Sequence, residues 1–139
     1  MSHTLIALVV FIGWTLVLLI IMEVIRSKIV LTGERKANEF DSLNSNLSPF
    51  MQRLARAYGN CLEGLPIYGG LLLVALASDK TFITDPLALF LLAARVFQST
   101  IHLISVSAIA VTIRFHAFAV QMFIAVYWCY LFLAGAVSH

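Results

Sequence analysis

Polar side chains recur at helical spacing inside two otherwise apolar segments of the chain. The first set, the 53–63 stripe, has intervals of three, four and three residues and consists of Arg53, Arg56, Asn60 and Glu63. The second set, the 95–102 stripe, has intervals of three and four and consists of Arg95, Gln98 and His102. At about 100° per residue, the 53–63 stripe falls within roughly 80° of one helix face. Each stripe therefore predicts a polar face on an apolar helix.

The apolar segments that contain these stripes are expected to lie in a lipid bilayer, where a charged side chain is costly. A charged group at bilayer depth costs at least about 2.5 to 3.5 kcal/mol, so it faces the protein interior and finds a partner. We expect the two stripes to face each other or a neighbouring subunit. One interpretation is a structural ion pair between Glu63 and Arg95. Asn60 and Gln98 would then join their helices by hydrogen bonds.

The balance of charges favours a second interpretation, a ligand site. The single carboxylate of Glu63 is outnumbered by four guanidinium groups, those of Arg53, Arg56, Arg95 and Arg114. An excess of buried cations is unfavourable unless an anion completes it. Guanidinium groups bind both oxygens of a carboxylate, while Glu63 could hold an ammonium group. A zwitterionic ligand with several carboxylates fits this count. The role of His102, as a hydrogen-bonded helix residue or as a base, stays open.

Composition defines the elements that must position these residues. Of 139 residues, 61% are hydrophobic and only 12% are charged, against about a quarter in soluble domains. At about 1.5 Å per residue, a span of the 30 Å core needs about 20 residues. We predict an all-α, four-helix transmembrane bundle forming one domain, 1–139, with spans at about 4–25, 58–78, 86–108 and 115–137 and a cytoplasmic loop at about 26–48.

Local signals mark some helix ends and leave one open. Ser48 and Pro49 predict an N-cap followed by proline in the first turn. Pro86 is expected to begin the third helix in the same way. The first span should close at Arg26, whose side chain can reach lipid head groups. Residues 106–113 carry no strong turn signal, so the boundary between the last two helices is the least defined.

Charge also excludes one partner and predicts an orientation. A net charge of +2 without a block of like charges does not favour binding to nucleic acid.

The two cysteines, Cys61 and Cys129, are not spaced with other cysteines or histidines as a disulfide framework or a metal site would require. Most lysines and arginines lie between the first two spans or near Arg114, so these connections should be cytoplasmic and both termini non-cytoplasmic.

The 53–63 stripe belongs to a run that resembles a known family. The sequence of residues 56–63, RAYGNCLE, followed by Pro66 is similar to the RAxxNxxE...P signature of the membrane-associated proteins in eicosanoid and glutathione metabolism (MAPEG). Residues 33–40, GERKANEF, resemble the loop of bacterial members, and Ala94-Arg95-Val96 adds a further match. The resemblance implies a homotrimer in a bacterial inner membrane, with glutathione sites between subunits that open to the cytoplasm.

The resemblance also assigns roles, position by position. Glutathione as co-substrate, without a metal, would be held by Arg53, Arg56, Asn60 and Glu63 from one helix and by Arg95, Gln98 and His102 from another. Arg114 would be the catalytic residue, because a cation beside the thiol favours the reactive thiolate. The implied activity is that of a transferase or peroxidase acting on hydrophobic small molecules dissolved in the bilayer. The alternatives are a non-catalytic membrane protein that binds lipids or partner proteins, and a transport subunit.

Overall fold

Four helical segments that are long and apolar enough to cross a bilayer dominate the computed structural model. It describes residues 1–137, with side chains for residues 1–135, so the last two residues of the predicted 1–139 domain lie outside the described residues. The helices are α1 (His3–Leu31), α2 (Pro49–Gly64), α3 (Gly70–Ala77), α4 (Thr81–Ile104) and α5 (Ala108–Val137). A π-helical turn, Leu65–Gly69, joins α2 to α3 within one span. The predicted all-α class with four spanning helices is confirmed.

Helices α1, α2 and α5 begin with serine caps that satisfy otherwise unpaired backbone N–H groups. The Ser2 hydroxyl accepts a hydrogen bond from the Leu5 N–H at 3.1 Å. The Ser48 hydroxyl accepts one from the Met51 N–H at 3.3 Å, and Pro49 occupies the first turn of α2. Proline is tolerated there because that N–H has no partner in a helix. The predicted start of the second helix is therefore confirmed.

Two predicted boundaries near the other helices are wrong. Helix α4 begins at Thr81, so Pro86 lies inside it. Its first turns are tied to the start of α1, where Asp85 Oδ1 accepts from the Thr4 N–H at 2.9 Å. Helix α4 ends at Ile104 and α5 begins at Ala108, both earlier than predicted. The reason is local, because the backbone is extended at Ser105 and the Ser107 hydroxyl accepts from the Ala110 N–H at 3.2 Å.

The helices pack around two apolar clusters. The first lies towards the chain termini and includes Phe11, Tyr68, Leu72, Leu91 and Trp128. The second lies towards the 32–48 segment and includes Leu18, Met22, Met51, Leu54 and Cys61. Helix α4 crosses from one cluster to the other at residues 95–99, since Arg95 touches rings of the first and Ser99 touches Cys61 of the second. The polar stripes therefore lie at the junction of the two clusters.

The segment between α1 and α2 is held by Arg26 and a fully buried asparagine. Arg26 does not reach out to head groups as expected; its Nε donates to Asn44 Oδ1 at 3.0 Å and its Nη2 to the Asp41 carbonyl at 2.9 Å. Asn44 Nδ2 donates to the Met51 carbonyl at 2.7 Å. Hydrogen bonds from the Ser45 hydroxyl and from nearby backbone N–H groups keep the pKa of the Asp41 carboxyl below its usual value. The segment is thus folded onto the start of α2.

Asn44→Ala should loosen this segment. The change removes the bonds to Met51 and Arg26 and places alanine at a φ of +54°, which asparagine tolerates better. We expect the free energy of unfolding in detergent to fall by roughly 1 to 3 kcal/mol and cleavage of residues 32–48 by protease to accelerate. Asn38→Ala, at an exposed position of the same segment, is the matched control. Equal proteolysis of the two variants would show that Asn44 does not hold the segment.

Candidate functional site

The two stripes meet within a single chain. Asn60 Nδ2 is hydrogen-bonded to His102 Nδ1 at 3.4 Å, and Arg95 Nη1 donates to the Asn60 carbonyl at 3.4 Å. Asn60 belongs to α2, while Arg95 and His102 belong to α4. Of the two expected arrangements, the structure therefore contains the one in which the stripes face each other. Asn60 is the residue that links them.

Arg95 is the most deeply buried of the site residues predicted from the sequence. Its side chain is 1% exposed, and its Cζ lies 5.7 Å from the centre of the Phe11 ring and 5.4 Å from that of Tyr68. The aromatic faces attract the cation electrostatically. Gly64 leaves the space for it, because a Cβ there would be 2.9 Å from Arg95 Nη2. Arg95 Nε has no hydrogen-bond partner among the described residues.

The structural ion pair between Glu63 and Arg95 is absent. Among residues 1–135 the side chains form one salt bridge, between Arg26 and Glu23 at 3.1 Å. Glu63 is exposed at the edge of α2, and Arg56 is exposed on the same helix. The spacing places Glu63 on the face of the stripe but leaves its carboxylate outside the buried junction. The interpretation of Glu63 and Arg95 as an internal pair is therefore wrong.

Three guanidinium groups gather around His102 instead. The charges of Arg114, Arg56 and Arg53 all act on its imidazole, and the charge of Arg56 acts on Arg114. Within residues 1–135, none of these three arginines forms a salt bridge with a carboxylate. Arg53 Nε donates to the Leu103 carbonyl at 2.9 Å, which ties it to the end of α4. The Nε of Arg114 is buried and has no described partner. The region carries a strong positive potential that a carboxylate or thiolate would neutralise.

One member of the site was missed by the sequence analysis. Gln121 on α5 is fully buried, and its Nε2 donates to Gln98 Oε1 at 2.8 Å. A polar residue seven positions after Arg114 lies two turns further along the same face of α5. That spacing was visible in the sequence and could have placed Gln121 opposite the 95–102 stripe.

The remaining polar contact of the junction involves a cysteine. Cys61 Sγ lies 3.1 Å from the Ser99 hydroxyl, which donates to the Arg95 carbonyl at 2.9 Å. Cys61 is fully buried, and Cys129 is exposed on the apolar face of α5. No three histidine, cysteine or carboxylate side chains are grouped in a way that could hold a metal ion in the part of the chain that the structure describes. Cys61 therefore acts as a packing residue between α2 and α4.

Comparison with known families gives one match. Residues 4–134 match the MAPEG family, which covers all four spans and every residue of both stripes. Neither the curated proteins nor the solved structures give a match to this chain. The match agrees with the resemblance that rests on residues 56–66 and extends it over nearly the whole chain.

Gly64→Ala should disturb the site from behind Arg95. The added Cβ would meet Arg95 Nη2 at 2.9 Å and the Tyr68 ring at 3.1 Å, so one of them must move. We expect the free energy of unfolding to fall by roughly 1 to 3 kcal/mol, the usual cost of overpacking. Gly13→Ala is the control, because a Cβ there meets nothing within 4 Å and alanine favours a helix interior by up to about 1 kcal/mol. A Gly64→Ala variant as stable as the control would contradict the close packing of Arg95.

Proposed function

The chain belongs to the MAPEG family, and from this membership we propose that it is a membrane-bound, glutathione-dependent transferase or peroxidase. The observation that carries the proposal is the group of three guanidinium side chains whose charges act on His102 and which form no salt bridge with a carboxylate of the described residues. Glutathione has two carboxylates, one ammonium and one thiol. It therefore supplies the anions that this group lacks.

Binding divides between the edge of the site and its interior. Arg53 and Arg56, which lie on α2, bind a carboxylate of the ligand, because a guanidinium group can donate hydrogen bonds to both carboxylate oxygens. Glu63 is exposed and free to accept from the ammonium group. Asn60, Gln98 and His102 supply uncharged hydrogen-bonding groups between them. Arg95, at 1% exposure, acts as a positioning residue that holds the Asn60 backbone.

Arg114 is the residue that we assign to the chemistry. A cation beside the glutathione sulfur stabilises the thiolate, which is the attacking form. In transfer, the sulfur forms a bond to an electrophilic carbon as a leaving group such as halide departs with the electron pair. In peroxide reduction, the sulfur attacks one peroxide oxygen and the O–O bond breaks. The alkoxide takes a proton, and a second glutathione converts the sulfenic acid to disulfide and water.

The surroundings that we propose complete this site. Arg56 and Glu63 are exposed in the single chain, and charge facing lipid is costly. A neighbouring subunit of a homotrimer would cover them and share the ligand. The excess of lysine and arginine between α1 and α2 supports a cytoplasmic opening with both termini on the other side, as in a bacterial inner membrane. The hydrophobic substrate would enter from the bilayer.

Arg114→Ala is the decisive variant. Purified protein should convert an aryl halide or a lipid hydroperoxide only with glutathione, and Arg114→Ala should reduce kcat by roughly 10²- to 10³-fold while retaining glutathione binding. Activity of the variant should also move to higher pH, because the thiol loses the cation that favours its ionised form. Arg35→Ala, in the 32–48 segment, is the control. Equal kcat for wild type and Arg114→Ala would refute the assignment.

A non-catalytic role in lipid binding is the second candidate, and one feature favours it. An apolar groove of about 680 Å³ lies between α4 and α5 and is lined in part by Phe90, Phe97, Ile113 and Val120. A groove of that kind can hold an acyl chain. Calorimetry that gives heat with a fatty acid but none with glutathione would favour this role over the enzyme.

A further inference from the structure

The pair formed by Gln98 and Gln121 has a hydrogen-bond direction that can be read from the backbone. We propose that Gln121 is a positioning residue that fixes the Gln98 amide with its NH2 group turned to the ligand, so that Gln98 selects a hydrogen-bond acceptor. The inference rests on the proposed glutathione site. It assigns a role to Gln121, which the proposed binding and chemistry leave unused. It also predicts which part of the ligand contacts α4.

A backbone carbonyl sets the direction of the pair. Gln121 Nε2 lies 3.0 Å from the Ala117 carbonyl oxygen and 2.8 Å from Gln98 Oε1. A carbonyl oxygen only accepts, so the atom of Gln121 beside it must be the NH2 group. The second hydrogen of that group then points to Gln98, whose facing atom must be an oxygen. The reverse assignment would bring two oxygen atoms together and is excluded by repulsion.

The direction turns the NH2 end of Gln98 away from Gln121. The Gln98 oxygen accepts from Gln121, and the buried atom of the pair without a described partner is Gln121 Oε1. Gln98 is 7% exposed and lies one turn from His102 on the face of α4 that meets Asn60. Gln98 Nε2 is not among the buried atoms of the described residues that lack a partner, so it remains accessible at the edge of the site. A ligand oxygen next to the 95–102 stripe can therefore accept a hydrogen bond from it.

The direction of the Gln98 amide determines which group of the ligand can bind beside it. A group that reaches the NH2 end of Gln98 must accept a hydrogen bond, which favours a carboxylate or peptide carbonyl oxygen over an ammonium group. Glu63 has the opposite character, because an ionised carboxylate only accepts and therefore suits the ammonium. Gln98 and Glu63 thus distinguish the acceptor and donor ends of one zwitterion. Gln121 never touches the ligand and acts through Gln98.

A double-mutant cycle tests the positioning role. Gln121→Met and Gln98→Met replace each amide by an apolar side chain of similar length. Both variants should therefore fold in the membrane. We expect each to weaken glutathione binding roughly threefold to tenfold by calorimetry, the loss for one hydrogen bond. Because Gln121 acts through Gln98, the double variant should bind no more weakly than Gln98→Met alone. Gln52→Met, in the only remaining glutamine of the chain, should bind like wild type.

Gln98→Glu tests the direction itself and keeps Gln121 in place. It replaces the NH2 group by an oxygen, so an acceptor on the ligand would be repelled and binding should fall below that of Gln98→Met. Binding tighter than that of Gln98→Met would show that the ligand donates at this point and would overturn the proposal. This variant decides the direction even where Gln121→Met does not fold.

The outcomes separate the inference from the function on which it rests. No heat with glutathione in wild type would overturn the proposed function and the inference together. Wild-type binding with an unchanged Gln121→Met variant would overturn the inference alone. Losses that add in the double variant would do the same, because they would show that Gln121 acts independently of Gln98.

Discussion

A guanidinium group at bilayer depth must find an acceptor, an aromatic face or an anion, and the architecture of this chain follows from how its arginines meet that requirement. Arg95 is enclosed by the Phe11 and Tyr68 rings and bonds to the Asn60 carbonyl. Arg53 is matched by the Leu103 carbonyl. The buried Nε of Arg114, like that of Arg95, has no described partner. Arg114, to which the chemistry is assigned, is thus one of the cations that an anion would stabilise.

Residues without functional groups provide the room that Arg95 needs. Gly64 has no Cβ where Arg95 Nη2 approaches the backbone of α2. Pro66 has no N–H, so the usual helical bond to the Leu62 carbonyl is lost, and Pro66 is the second residue of the π-helical turn Leu65–Gly69. That turn brings Tyr68 onto the cation. The family signature around residues 56–66 therefore includes residues whose role is to pack a cation.

Much of the fold could be predicted from the sequence, because the thickness of the bilayer sets how long and how apolar a spanning helix must be. The start of α2 was also predictable, since Ser48 and Pro49 act within one turn. Contacts between residues that are distant in the sequence could not be predicted in this way. Asn44 is buried through a bond to the Met51 backbone, and no side-chain pattern records such a bond.

The candidate site shows the same limit. Helical spacing predicted the face on which Glu63 and Arg95 lie, but it carries no information about depth, and the two residues differ greatly in burial. The seven-residue spacing from Arg114 places Gln121 on the same face of α5, but spacing along one helix does not identify its partner on α4. Its position depends on α4 and α5 running antiparallel, which brings Gln121 to Gln98 and Arg114 to His102.

That antiparallel arrangement explains why a polar pair is useful inside an apolar bundle. Apolar contacts between two helices in lipid change little when one helix slides or rotates by a small amount. A directed hydrogen bond such as that from Gln121 to Gln98 is lost by the same movement, and its loss leaves polar groups unpaired where water is absent. Arg114 lies on the same face of α5, two turns away, and shares any displacement of the helix. The glutamine pair therefore sets the depth and rotation at which the Arg114 guanidinium faces His102.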